Sequence, residues 1–420
     1  MAENESVPLT LFTYTSSYTN ISNNGSDVIV TESTEFLPLS ERPETYFVPI
    51  LFFIIFVVGT LGNGTLVWIF MKHRTMRNVP NTYILSLAIA DLLVIISSVP
   101  FTAIIYILDH WPWGEAMCRI SETAKDISVG VSIFTLIALS GDRFFAIVDP
   151  LKKFHTSSGG RKATRITLCI ALSIWALAIL CASPAAIGSH IKDLYDPDTK
   201  FNFSVCYPFP EYWLNGNYPQ TMVLSKFLVL YVIPLIIIAI FYMSMANHLI
   251  ISTKNVPGEA QGTQRQIRAR KKVAITVLIF VLAFAICFLP FHVYLLFFYF
   301  YPNFNEMYNS FWNYFRILSF CLCYLHSCAN PLALYWVSGT FRKHFNRYLL
   351  CIKGKRTRCN TCQGQHATSL SQTSTKRQQS MSCSKAKNIS IKRRVRTIDN
   401  NQETSISLLG NGNEQACTKM

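Results

Sequence analysis

The chain has 420 residues, of which 50% are hydrophobic and 15% charged, with a formal net charge of +15. A soluble domain carries about one quarter charged residues. Between Tyr46 and Val337 the apolar residues gather into seven stretches, each of about 18 residues or more and each long enough to cross a hydrocarbon core. That pattern excludes a string of soluble domains and predicts a helical membrane protein, because inside hydrocarbon every backbone amide must find its partner within the segment. A strand barrel would show alternating segments of about ten residues instead.

In chain order, residues 1–45 are polar and acidic, with seven acids against Arg42. They hold acceptor sequons for glycans at Asn4, Asn20 and Asn24. No short apolar core follows a positive start, so the first span is expected to act as the insertion signal. The spans are expected at Tyr46–Phe70, Pro80–Ile107, Ile120–Val148, Ile166–Ile187, Thr221–Ile251, Val273–Phe300 and Phe311–Val337. The fourth sequon, Asn202, falls between spans four and five. Four regions result: an extracellular glycosylated segment (1–45), a seven-span bundle (46–338), an amphipathic helix (339–352) and a disordered cytosolic tail (353–420).

Lys and Arg fall on one side. The loops Lys72–Arg77, Lys152–Arg165 and Lys254–Lys272 are basic, and residues 341–420 hold sixteen Lys and Arg against three acids. Positive-inside asymmetry puts the amino terminus outside and the carboxyl terminus in the cytosol, at the plasma membrane. The positive charge therefore points to anionic lipid and not to nucleic acid. On this topology only Cys118 and Cys206 face the oxidising side, and they are expected to pair. Cys351 follows the basic and aromatic stretch Phe341-Arg342-Lys343-His344-Phe345 and is a palmitoylation candidate.

Charged residues inside a membrane are expensive and are expected to face the bundle interior. Asp91 in span two lies ~17 Å of helix from Pro80, close to the depth of Asn63, Ser132 and Asn330 on three other spans. A carboxylate with hydroxyl and amide oxygens suits a sodium ion or a proton, and a hydrogen-bonded network between helices is the alternative. No other cofactor is indicated. Cys118 to Arg143 is ~37 Å of helix, so Asp142-Arg143-Phe144 reaches the cytosolic mouth, where an Arg beside an acid can switch between paired and released states. Prolines at Pro100, Pro184, Pro234, Pro290 and Pro331 predict kinks in five spans.

Taken together, Gly62-Asn63, Leu87-Ala-Ile-Ala-Asp91, Trp111-Pro-Trp-Gly114, Cys118, Asp142-Arg143-Phe144, Trp175, Pro234 with Tyr242, Phe284-x-x-Cys287-Phe288-x-Pro290 and Asn330-Pro331 resemble the rhodopsin-like G-protein-coupled receptors over about Tyr46–Cys351. The stretch Ser128–Arg143, with Asn330-Pro-Leu-Ala-Leu-Tyr335 and Phe341–Phe345, is similar to the bombesin and endothelin receptor group, whose invertebrate branch includes receptors for amidated neuropeptides called CCHamides. The resemblance implies an all-α seven-helix bundle with a short interfacial eighth helix. It implies agonist capture outside and coupling to a heterotrimeric G protein, Gq with calcium mobilisation. Its activation and coupling residues carry over to Asp142, Arg143, Tyr242, Phe284, Asn330, Pro331 and Tyr335, and the tail is expected to meet receptor kinases and arrestin. The chain departs from the family pattern at Phe288, where Trp is usual, at Phe144 for Tyr, and at His326 for Asn.

The ligand class follows from charge. Glu122, Lys125 and Asp126 open span three and are expected to face the outer cavity, joined by Lys226, Phe288, His292 and Arg316. Lys125 stands where amine receptors need an Asp, and span seven contains no Lys for a retinal Schiff base. A peptide with several polar groups fits; a local pair such as Glu122 with Lys125, three apart on a helix, is the structural alternative. A secondary transporter would show inverted repeats, and none is visible. An enzyme is disfavoured because no Walker loop, Gly-x-Ser-x-Gly or His-Glu-x-x-His occurs, and because no acid–base pair is expected at one depth on adjacent spans. A receptor of this fold for a non-peptide ligand is the remaining alternative.

Overall fold

The computed structural model describes residues 15–24, 27–36, 42–73, 79–108, 110–148, 160–196, 201–210, 212–255, 261–302 and 304–349. Among these residues seven helices are long and apolar enough to cross a membrane. Span one is α1 (Glu44–Lys72), and span two is α2 (Val79–Ser97) with α3 (Val99–Leu108). Spans three and four are α4 (Gly114–Val148) and α5 (Gly160–Gly188). Span five joins α6 (Tyr218–Phe227) to α7 (Ile233–Asn255) through a wide turn at Leu228–Val232. Span six is α8 (Gln261–Phe300); after the short α9 (Phe304–Met307), span seven is α10 (Ser310–Val337). Among the described residues a final helix, α11 (Gly339–Tyr348), follows it.

Two of the five proline sites interrupt the regular helix. Span two breaks at Ser98, just before Pro100, and the Ser98 hydroxyl donates to Ser121 O of span three at 3.0 Å. The wide turn in span five precedes Pro234 and carries Tyr231, whose hydroxyl donates to Ala285 O of span six at 3.0 Å. Pro184, Pro290 and Pro331 sit inside helices, as does Pro49.

Span three is the axis of the bundle, packed against spans two, four, five and six. Small residues let helices approach: Gly130 faces Ala178 of span four, and Gly62 faces the ring of Pro331 on span seven. Trp175 donates its indole N–H to Ser86 Oγ at 2.9 Å, tying span four to span two. Phe280, Phe284, Ile133, Leu136 and Leu139 form the fully buried centre. Leu172, Leu180, Ile236 and Ile286 point outward, as a membrane solvent requires of a helix bundle.

The sequence reading did not anticipate two antiparallel hairpins. One pairs β1 (Thr15–Asn24) with β2 (Asp27–Phe36), placing Asn20 and Asn24 on a strand. The other pairs β3 (His190–Asp196) with β4 (Phe201–Tyr207), placing Asn202 opposite Tyr195. Asn4, Cys351 and the tail lie outside the described residues.

Candidate functional site

The β3–β4 hairpin is pinned over one end of the bundle. Cys206 on β4 forms a disulfide with Cys118 of span three, as expected. Trp111 N–H donates to Ser204 O at 2.7 Å, and Arg119 Nε donates to Ser189 O at 3.1 Å. Beneath the hairpin lies a cavity of about 310 Å³ lined by residues of spans two, three, five, six and seven, by Cys206, Tyr207 and Phe209, and by Arg42 and Glu44 at the start of span one.

All seven residues expected at the ligand site line this cavity: Glu122, Lys125, Asp126, Lys226, Phe288, His292 and Arg316. Span three sets the charges, because positions three and four apart share one helix face. Lys125 pairs with Glu122, and Lys226 of span five pairs with Asp126 at 2.7 Å. The second pair corrects the expectation that no acid and base meet at one depth on adjacent spans. Spans three and five bring together residues a hundred positions apart, which helix spacing alone does not reveal. His292 packs between Tyr231 at 4.9 Å and Phe227 at 5.5 Å. Phe288 meets His326 at 5.3 Å, and Phe284, one turn earlier on span six, contacts both rings.

Arg316 belongs to a network the sequence reading missed. Its guanidinium donates to Asn313 Oδ1 at 2.8 Å, Tyr308 donates to the same oxygen at 3.3 Å, and Asn313 donates to Glu44 Oε1 at 3.3 Å. Glu44 is buried although it opens span one. An acid abutting an apolar run was the available signal for it.

Deeper in the bundle, Asn330 Nδ2 donates to Asp91 Oδ2 at 2.8 Å. Asn63 instead donates to backbone carbonyls, Gly59 O at 3.1 Å and Ser327 O at 2.8 Å. Asp91 Oδ1 and the hydroxyls of Ser132 and Thr135 are buried without a hydrogen-bond partner among the described residues. No cluster of three or more His, Cys, Asp or Glu that could hold a metal occurs among them either.

At the opposite end Arg143 pairs with its neighbour Asp142, while its Nε is buried with no hydrogen-bond partner among the described residues. Phe144 packs on Phe241 of span five at 5.5 Å. Tyr242 donates its hydroxyl to Ala274 O of span six at 2.8 Å. Pro331 is buried against Gly62, and Tyr335 sets its ring edge-on to Phe345 of α11 at 6.2 Å. A cavity roofed by a disulfide-pinned hairpin at one end and an Arg-centred polar cluster at the other thus share one bundle.

The profile of the seven-transmembrane receptors of the rhodopsin family matches residues 62–335. The chain belongs to that family. It is therefore a multi-pass membrane receptor and not an enzyme. It is 54% identical over 407 residues to the neuropeptide CCHamide-1 receptor of Drosophila melanogaster, covering 94% of this chain and 78% of the relative. It is also 39% identical over 314 residues to bombesin receptor subtype-3 of Ovis aries, covering 73% and 75%.

Proposed function

We propose that the protein is a plasma-membrane receptor for an extracellular amidated neuropeptide of the CCHamide or bombesin kind, and that it activates a heterotrimeric G protein of the Gq class with calcium mobilisation. The single observation that carries the reading is the hairpin-roofed cavity with its two ion pairs and Arg316. A cavity of about 310 Å³ is at the small end for ligand pockets, so it takes the terminus of a peptide and leaves the rest to the hairpin and the amino-terminal segment. The mixed charges on its wall suit a peptide with several polar groups better than a single amine, for which Lys125 stands in the wrong place. The names of the two relatives support the ligand class.

In this reading the amino terminus is outside, with glycans at Asn4, Asn20, Asn24 and Asn202, and the basic tail is cytosolic, where receptor kinases and arrestin act. Cys351 carries palmitate beside α11, which lies in the membrane interface. Asp142, Arg143, Tyr242, Phe284, Asn330, Pro331 and Tyr335 link agonist to G protein. A sodium ion fits the site at Asp91, Ser132 and Asn330. The partnerless Asp91 Oδ1 and Ser132 Oγ are hard oxygen donors, and Asn330 holds the carboxylate through its other oxygen. The ion would supply a positive charge there that favours one packing of the spans.

The test is calcium recording in cultured cells that display the receptor, against a panel of amidated neuropeptides. A response to a CCHamide-like or bombesin-like peptide is expected. Silence across the panel at confirmed surface display contradicts the ligand class, and a cyclic-AMP response without calcium contradicts the Gq assignment.

A further inference from the structure

The junction of span one and α11 concentrates positive charge that no carboxylate answers among the described residues. Lys72 closes span one and holds its Nζ 5.5 Å from the Trp68 ring and 5.2 Å from the Tyr348 ring. Arg347 lies over the same Tyr348 ring at 5.7 Å. His73 shares a 3.0 Å hydrogen bond with the Tyr348 hydroxyl and packs on His344 at 4.4 Å between ring centres. Two cations and two imidazoles are thereby gathered on one tyrosine.

Among the described residues Lys72 and Arg347 form no ion pair with a carboxylate, and α11 itself contains no Asp or Glu. The sequence has no acid from Met307 to Ile398 and none from Gly64 to Ala90, so the neighbouring segments cannot supply one. Lys72 and Arg347 are exposed, whereas the imidazoles and Tyr348 are half-buried. Trp68, one turn back along span one, is half exposed on the outer surface of the bundle, where an amphipathic ring marks the membrane interface. Lys72 runs its stem along that ring and offers its head to the headgroup layer, as snorkelling lysines do.

We propose that this junction is a binding site for an anionic phospholipid whose headgroup carries exposed phosphate and neutral hydroxyls, a phosphoinositide. The chemistry of the donors selects it. Lys72, Arg347, His73, His344 and the Tyr348 hydroxyl can all donate to phosphate oxygens, and Arg grips a phosphate through two N–H groups at once. Choline and ethanolamine bring an ammonium, and serine an ammonium beside its carboxylate, into a cluster that has no carboxylate among the described residues to receive it. Basic pockets on the cytoplasmic side of transmembrane helices are the expected places for such lipids. The site rests on the cytosolic placement of α11 proposed above, which epitope accessibility on intact and permeabilised cells checks separately.

His344 gives the site a dependence on pH. Partial burial and the adjacent His73 and Arg347 hold its imidazole below the usual range. The groups facing it are His73 from span one and Arg347 and Tyr348 on its own helix, with no acid among them. A phosphate placed there favours the charged form, so lipid binding takes up a proton and tightens as pH falls.

The experiment reconstitutes the full-length receptor in phosphatidylcholine nanodiscs containing a minority of either phosphatidylinositol bisphosphate or phosphatidylserine, and counts retained lipid by native mass spectrometry. Wild type is expected to retain the phosphoinositide in preference to phosphatidylserine. The double variant Lys72→Gln/Arg347→Gln is expected to weaken retention roughly thirtyfold, a factor typical of two surface cations. The conservative pair Lys72→Arg/Arg347→Lys, which shows that the fold survives substitution here, keeps binding. Retention rises between about pH 7.5 and about pH 6, and His344→Gln flattens that rise. Equal retention of the two lipids, or an unchanged double variant, overturns the proposal. An equal loss when Arg393→Gln/Arg394→Gln removes charge from the tail also overturns it, in favour of diffuse attraction. Competition by soluble inositol phosphate as strong as that by the lipid replaces the lipid site with one for free phosphate.

Discussion

At the scale of single residues, the decisive contacts are ion pairs that the membrane interior makes costly to break. Glu122–Lys125 was legible because both sit on one helix face three positions apart. Asp126–Lys226 was not, since nothing in either segment states that spans three and five meet at that height. Removing one member of this pair leaves an unanswered charge in a mostly apolar wall. Lys226→Ala or Asp126→Ala should therefore lower stability by about 2–5 kcal/mol, read as a fall in melting temperature of the purified receptor. The joint replacement Asp126→Leu/Lys226→Met should cost less than either alone, and an additive double variant would refute the coupling. The Tyr242 hydroxyl spans a smaller gap. Tyr242→Phe should cost about 0.5–1.5 kcal/mol, and an unchanged melting temperature would show that its bond to Ala274 O has no net worth.

At the scale of elements, all seven spans were readable because each must satisfy its own backbone in hydrocarbon, although the helices of spans three and six begin at Gly114 and Gln261, ahead of the expected Ile120 and Val273. The short helices and hairpins were harder to see. Asn24-Gly25 between runs rich in Thr, Ile and Val is a strong hairpin signal, but the segment was read only by its acidity and sequons, without a secondary-structure assignment. The β3–β4 hairpin owes its place to the Cys118–Cys206 bond, a long-range tie that local pattern does not encode. Close helix contacts make a sharp prediction. A methyl added at Gly62 would sit 2.8 Å from Pro331 Cγ, while one added at Gly64 meets nothing. Gly62→Ala should thus destabilise by about 1–3 kcal/mol by forcing span one from span seven. Gly64→Ala should be tolerated, and equal behaviour of the two in a thermal-stability assay would reject this packing. Docking of α11 depends on Phe341 and Phe345, both buried against the bundle. Phe341→Ala should cost about 3–5 kcal/mol where the cavity cannot collapse, and detachment of α11 would appear as new protease sensitivity near the tail.

At the scale of the whole molecule, the cavity and the Arg143 cluster stand at opposite ends of a bundle whose spans two and five are interrupted next to prolines. Their coupling requires that the peptide and the G protein each favour the same arrangement, so that each raises the affinity of the other. The motifs made both ends legible, because an Asp-Arg pair and an Asn-Pro pair occur at fixed heights on long helices. The ligand was legible only as a class: the walls of the cavity carry charges of both signs, and their pairing with one another conceals which of them a peptide would take over. The most direct measurement is peptide binding and calcium response recorded side by side for wild type and Arg143→Ala at matched surface display. Binding should be retained, with loss of G-protein-enhanced affinity, and the calcium response abolished. A full calcium response in Arg143→Ala, or loss of all peptide binding, would contradict it.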